Sequence, residues 1–146
     1  MPKTVVVDVY ARTGSGGDVQ FSHDWGWEDK VVGDGAIEIP RKNEDDPGTP
    51  IHFHLHDLTR PRRGLEFTND AGGAMWVKRE SCPPANQPCS DPEIPEAKIK
   101  RAPKVLKVFD ENSEECTLHY RLRFQDREGN PESYDPDIRN GGTTQG

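Results

Sequence analysis

Hydrophobic and polar residues alternate most cleanly from Cys116 to Phe124. Cys116, Leu118, Tyr120, Leu122 and Phe124 share one parity, while Thr117, His119, Arg121 and Arg123 share the other. Successive side chains on a strand point to opposite faces, so this pattern predicts a half-buried strand. The same period recurs over residues 51–57, where Ile51, Phe53 and Leu55 take the inward parity and three histidines the outward one. It appears again near the start, with Val5, Val7 and Val9 on one face. Shorter apolar runs predict strands over residues 19–22, 35–39, 74–78 and 104–110, with a brief one at 65–67.

Turn chemistry separates these runs. Asp126-Arg127-Glu128-Gly129-Asn130 follows the longest strand, and the chain returns through Tyr134, Pro136 and Ile138, so residues 116–142 read as a hairpin. Its second arm carries Asp135-Pro136. Proline has no N–H for a ladder, which puts that arm on an edge or ends its pairing at Asp135. Residues 12–17 are glycine-rich, but no Lys-Ser/Thr pair or helix follows, so they read as a turn and not as a phosphate loop. Residues 41–50 read as loop. Six prolines between 79 and 103 exclude helix and central strand there. The expected fold is all-β: a single immunoglobulin-like β-sandwich of seven or eight short strands over residues 1–146. It carries a proline-rich loop at 79–103 and a flexible tail at 141–146.

A chain of 146 residues fits one domain and is long enough to bury a core. Hydrophobic residues make up only 31%, and Gly and Pro number 14 and 13, which fits a small β core with long polar loops. The net charge of −7 leaves no basic footprint for nucleic acid. No apolar run approaches the ~18 residues of a membrane span. Asp8 interrupts the apolar start at once, so no secretory segment is expected and the cytoplasm is the expected compartment. The expected partner is the chain itself or another protein, and no cofactor is called for.

Four groups of residues have chemistry to offer. Period 2 places His52, His54 and His56 on one face of one strand, where two imidazoles ~6–7 Å apart can share a metal. His119, on the polar face of another strand, is a further ligand to consider; the plainer reading is a solvated face. Cys82 and Cys89 are spaced too widely for a zinc knuckle or a redox pair. They are free thiols, or a loop disulfide under oxidising conditions, while Cys116 is a small core residue. Arg60, Arg62 and Arg63 surround Pro61 in a turn that is either solvated or an anion site. Finally there are three Asp-Pro bonds, at 46, 91 and 135. Only Asp135-Pro136 falls at a strand end, with Asp137 beside it and Asp126 across the hairpin. Paired carboxyls there would divide acid and base roles.

The segments Leu118 to Phe124, Asp126-Arg127-Glu128-Gly129 and Tyr134-Asp135-Pro136-Asp137-Ile138-Arg139-Asn140-Gly141-Gly142 resemble a small bacterial family known as DP-EP. The resemblance covers roughly the last 30 residues. It implies a β-sandwich that cuts its own C-terminal Asp-Pro bond with the help of aspartate, an Asp–Lys isopeptide link being one outcome. Carried over, the bond is Asp135-Pro136, Asp135 is the reacting residue, and Asp126 or Asp137 assists. One departure bears on the cross-link. Residues 112–134 contain no lysine, so the nearest candidates are Lys104 and Lys107. The alternatives are a non-enzymatic binding or assembly module, or metal chemistry at the histidine strand.

Overall fold

The computed structural model describes residues 4–68, 73–79, 88–95 and 98–144. Among them the chain forms two six-stranded sheets and a small two-stranded one. The first sheet runs in the order β3 (Lys30–Gly33), β2 (Val19–Trp27), β1 (Val5–Thr13), β6 (Thr49–Asp57), β10 (Val105–Asp110) and β9 (Lys100–Ala102). The second is built on the eleven-residue strand β11 (Glu115–Gln125). On one side β11 pairs with β12 (Pro131–Tyr134) and β13 (Asp137–Gly141), and β4 (Ile37–Ile39) lies beyond β13. On its other side lie β7 (Glu66–Phe67) and β8 (Met75–Lys78). The small sheet joins β5 (Lys42–Asn43) to β14 (Thr143–Thr144).

The alternating residues meet between the two large sheets. Val5, Val7 and Val9 of β1, Ile51, Phe53 and Leu55 of β6, and Leu118, Tyr120, Leu122 and Phe124 of β11 are all buried in one core. Rings touch across the layers: Phe53 lies 5.5 Å from Tyr120 and Phe21 5.0 Å from Phe124, centroid to centroid. This is the sandwich-like all-β architecture that the period-2 runs predict.

The strand inventory departs from the expected seven or eight. Fourteen strands form among the described residues, five of them three residues long or shorter. Of the five, β4 and β7 fall in the runs expected at 35–39 and 65–67, β5 and β14 pair with each other from opposite ends of the chain, and β9 folds straight back onto β10. Residues 41–50 hold β5 and the start of β6, and β9 lies within the proline-rich segment as an exposed edge strand. The expected flexible tail pairs as far as Thr144. Pro83, Pro84, Cys82 and residues 69–72 of the expected turn lie outside the described residues.

The hairpin differs in a way that matters later. The first ladder ends at Tyr134 as expected, Asp135 and Pro136 belong to neither strand, and pairing resumes at Asp137. Leu122 faces Tyr134 and His119 faces Asp137, so both strands advance three residues and the register is kept across Asp135-Pro136. The Tyr120 N–H donates to the Pro136 carbonyl at 3.1 Å. Asp135-Pro136 divides the arm into β12 and β13, and β13 is flanked on both sides, by β11 and β4.

Candidate functional site

Three surfaces gather the residues singled out by sequence. The first is the outer face of the second sheet around Asp135. Arg121 sits opposite Asp135, and a guanidinium nitrogen comes within 3.9 Å of its carboxylate. Arg121 also donates to Ser133 Oγ at 2.5 Å. Next along, His119 Nδ1 and Asp137 Oδ1 are 2.7 Å apart. Asp137 is thus beside the Asp-Pro bond and already joined to an imidazole. Asp126 is not there. It sits at the far end of β11, five residues along from Arg121, a span of ~17 Å on an extended strand. Its carboxylate closes the β11–β12 turn, accepting from the Glu128 and Asn130 backbone N–H groups and from Asn130 Nδ2. Those bonds pull its pKa down, the backbone bond of Asn130 first. The expectation that Asp126 assists Asp135 is therefore corrected.

The lysines named from sequence do not reach this bond either. Lys104 donates its ammonium to the Leu65 carbonyl. Lys107 pairs in register with His52, on the outer face of the other sheet. Sequence reasoning missed Lys78, which lies opposite His119 on β8 and shares the outward parity of His119 and Asp137.

The second surface is the histidine strand. His52, His54 and His56 do face outward on β6. His56 stacks on Tyr10 at 5.1 Å, and its Nε2 meets Asp8 Oδ1 at 2.9 Å. Partial burial and the Lys107 charge push His52 down, which disfavours its cationic form. His119 belongs to the opposite sheet, with its side chain on that sheet's far face, so it cannot complete a set with them. Among the described residues no group of three or more His, Cys, Asp or Glu side chains is placed to hold a metal ion. The metal expectation for His52, His54 and His56 is corrected on that geometry: the three do not form a ligand set among the described residues, and His56 is engaged by Asp8 and Tyr10 instead.

The third surface is the loop from Leu58 to Leu65, and here the sequence held a signal that went unread. Asp57 continues the inward parity of Ile51, Phe53 and Leu55, so its carboxylate is buried. It accepts four hydrogen bonds: Thr59 N–H at 3.1 Å, Thr59 Oγ1–H at 2.5 Å, Gly64 N–H at 3.0 Å and Leu65 N–H at 3.1 Å. Burial alone would raise its pKa, but these bonds outweigh it and the carboxyl is held below its usual range. The loop is pinned from outside as well. Thr13 Oγ1 accepts from Arg60 N–H at 2.9 Å, Arg63 donates to the Gly17 carbonyl at 2.7 Å, and Arg127 donates to the carbonyls of Arg62 and Arg63.

A fourth cluster was not foreseen. Asp110, Asn112, Glu93 and Asn140 are buried together where β10 and β13 end. Glu93 accepts from Ser113 N–H and Oγ, Glu114 N–H and Asn140 Nδ2. Asn140 Nδ2 also donates to Asp110 Oδ1 at 2.8 Å. Burial, with Glu93 and Asp91 nearby, lifts Asp110 to about 7 against the pull of its bonds from Asn140 and Asn112. Nearby Arg79 neutralises a different pair, Asp91 and Glu114. The signal was again parity, since Asp110 follows Leu106 and Val108 on the inward face.

Cys89 and Cys116 are free thiols. No helix among the described residues is long and apolar enough to cross a membrane. A scan against protein-family models finds no match to this chain, and a comparison with curated proteins finds none either.

Proposed function

We propose that this chain is a non-enzymatic assembly module that pairs with a second copy of itself through β3. The observation that carries the reading is the edge itself. β3 is the terminal strand of a six-stranded sheet, and its Val31 and Val32 side chains are 73% and 51% exposed. Soluble sheets usually blunt their edges with charge, proline or a cover. Here two adjacent valines stand open on the strand that ends the ladder. The approach of β3 is built in: a Cβ at Gly26 would lie 2.2 Å from the Lys30 carbonyl oxygen, so only glycine lets β3 close on β2. A free edge presents unpaired N–H and C=O groups, and across a twofold axis such an edge complements itself. Light scattering after size exclusion, from ~5 to ~200 μM, tests this. The wild type should shift toward dimer with concentration, and the variant V31K/V32K should stay monomeric with an unchanged circular dichroism spectrum. A wild-type chain that is monomeric at ~200 μM ends the reading.

One arrangement favours a second reading, self-cleavage at Asp135-Pro136: the His119–Asp137 pair and Arg121 both flank that bond. Against it stands the ladder, which holds the bond extended and in register, with the Pro136 carbonyl engaged by Tyr120 N–H. Catalytic attack by Asp135 on its own carbonyl would have to break that pairing. Denaturing intact mass over several days at pH 5 and 7.5 separates the readings. A fragment ending at Asp135 that D135A abolishes would establish processing. A single unchanged mass refutes it.

A further inference from the structure

We propose that the groove between Arg12, Arg60 and Arg62 binds a phosphate monoester, taken as a dianionic group with an apolar ester arm. It lies at the end of the first sheet remote from β3, and it is independent of pairing there.

The buried Asp57 carboxylate, Thr13, Gly17 and Arg127 fix the backbone from Thr59 to Leu65. Arg63 spends its guanidinium on the Gly17 carbonyl and on Glu132. Arg60 and Arg62, held on the same pinned backbone, find no side-chain partner among the described residues, and both are exposed. Two unpaired guanidinium groups are thus presented by a rigid loop in a chain whose net charge is −7. Nothing in the fold requires them there: the loop's hydrogen bonds run through backbone atoms and through other side chains.

Two grooves flank the ridge Arg60-Pro61-Arg62. The one toward the β11–β12 turn also holds Asp126 and Glu128, which would repel an anion. The other, of about 660 Å³, is lined by Arg12, Arg60, Arg62, Thr13, Thr59 and Leu58 and by no carboxylate. Arg12 is steadied there by the Tyr10 ring, 5.1 Å from its guanidinium carbon, and by a bond to Ser22 Oγ at 3.1 Å. Guanidinium forks match the spacing of oxygens on carboxylate and phosphate alike. Three of them around one groove favour the group with more charge and more acceptors, and a phosphate monoester carries −1.5 to −2 with three free oxygens. Leu58 adds the second element of recognition. It is 41% exposed on the groove wall, an apolar surface beside the cations, placed to meet the carbon side of an ester.

Titration of the full chain, followed by amide chemical shifts in 15N-labelled protein, provides the test, with inorganic phosphate, glycerol 3-phosphate and phenyl phosphate as probes. Saturable shifts should be confined to residues 12–13 and 58–63. Phenyl phosphate should bind more tightly than the other two, which separates an apolar ester from a polyol ester or a free ion. R60Q and R62Q should each weaken phenyl phosphate by about tenfold, the loss typical of one charge-assisted contact. Neither side chain bonds to the fold, so both variants keep the wild-type spectrum elsewhere. R139Q, which removes the same charge from a distant ion pair with Glu38, should leave affinity unchanged. The proposal is overturned if no shift saturates by ~20 mM, if R139Q weakens binding as much as R60Q, or if phenyl phosphate binds no better than phosphate.

Discussion

Asparagine in place of Asp110 should stabilise this protein above neutral pH, although it removes a charge from a hydrogen-bonded cluster. Asp110 Oδ1 accepts from Asn112 N–H at 2.9 Å and from Asn140 Nδ2 at 2.8 Å, while Asp110 Oδ2 and Asn140 Oδ1 are buried with no partner. A proton on Oδ2 removes the buried charge and turns that oxygen into a donor. Burial first, and then the nearby Glu93 and Asp91 carboxylates, disfavour the ionised form against the pull of the Asn140 and Asn112 bonds, so the pKa of Asp110 stands at about 7 against 3.8 in the unfolded chain. The folded state therefore holds the proton more tightly. Its stabilisation is complete below pH 3.8 and is lost as pH rises through 7. Linkage puts the loss between pH 5 and pH 8 at about 3 kcal/mol. Other groups titrate as well, and the difference between wild type and D110N cancels their share. An asparagine at 110 mimics the protonated acid at every pH, since its amide N–H2 takes the place of the Oδ2 proton. Urea unfolding of both proteins at pH 5, 6, 7 and 8 should show D110N already ahead by about 2 kcal/mol at pH 5, where the unfolded Asp110 is ionised and the folded one is not. The D110N advantage should then grow by a further ~2–3 kcal/mol, to about 4 kcal/mol, at pH 8. A D110N penalty that is the same at every pH would refute the reasoning, because it would mean that Asp110 is a carboxylate throughout.

Other outcomes follow from the same accounting of buried groups. The Tyr120 hydroxyl is buried without a partner, so Y120F should be neutral or stabilise by up to about 1 kcal/mol in the same unfolding assay. D57A strands four donors of the Leu58–Leu65 loop; it should cost about 3 kcal/mol, a fall in melting temperature of ~10 °C, and raise amide exchange over residues 59–65. Burial pushes the Cys116 thiol up to about 11 and raises that of Cys89. Iodoacetamide at pH 7.5 should therefore label either one in the native protein far more slowly than in urea, as peptide mapping would show.

Alternation made the layers legible in advance. Val5, Val7, Val9, Ile51, Phe53, Leu55, Leu118, Tyr120, Leu122 and Phe124 were assigned inward by parity alone, and they are buried in the core, while Cys116, assigned inward with them, is only partly buried at its margin. Short strands such as β5, β9 and β14 were not legible, because two or three residues carry no period, and β5 and β14 pair only once the two ends of the chain are together. The polar interior was legible but unread. Asp57, Asp110 and Asp126 each stand one inward step beyond the last apolar residue of a strand: Leu55, Val108 and Phe124. An aspartate at that position points into the protein edge, where loop N–H groups need an acceptor, and all three accept backbone bonds from residues that follow. Asp135 drew more attention because its neighbour is proline. Its partner Arg121 comes from pairing, which parity predicts once the hairpin register is known, whereas Lys78 enters only through β8, forty residues upstream of His119.

The place of β13 within the second sheet has a consequence for synthesis on the ribosome. β4 and β13 pair parallel, Ile37 beside Ile138, and β13 lies between β4 and β11. When β4, β7, β8 and β11 have left the exit tunnel, about a hundred residues separate β4 from the strand that must join it to the rest. Until then β4 has no place in that sheet, and Ile37 and Ile39 lack the strand that pairs beside them. The growing chain thus carries a vacant slot that its own later residues fill. The second sheet closes after translation of β13, and the nascent protein has an interval in which a chaperone, or the same strand from a neighbouring chain, can occupy the gap.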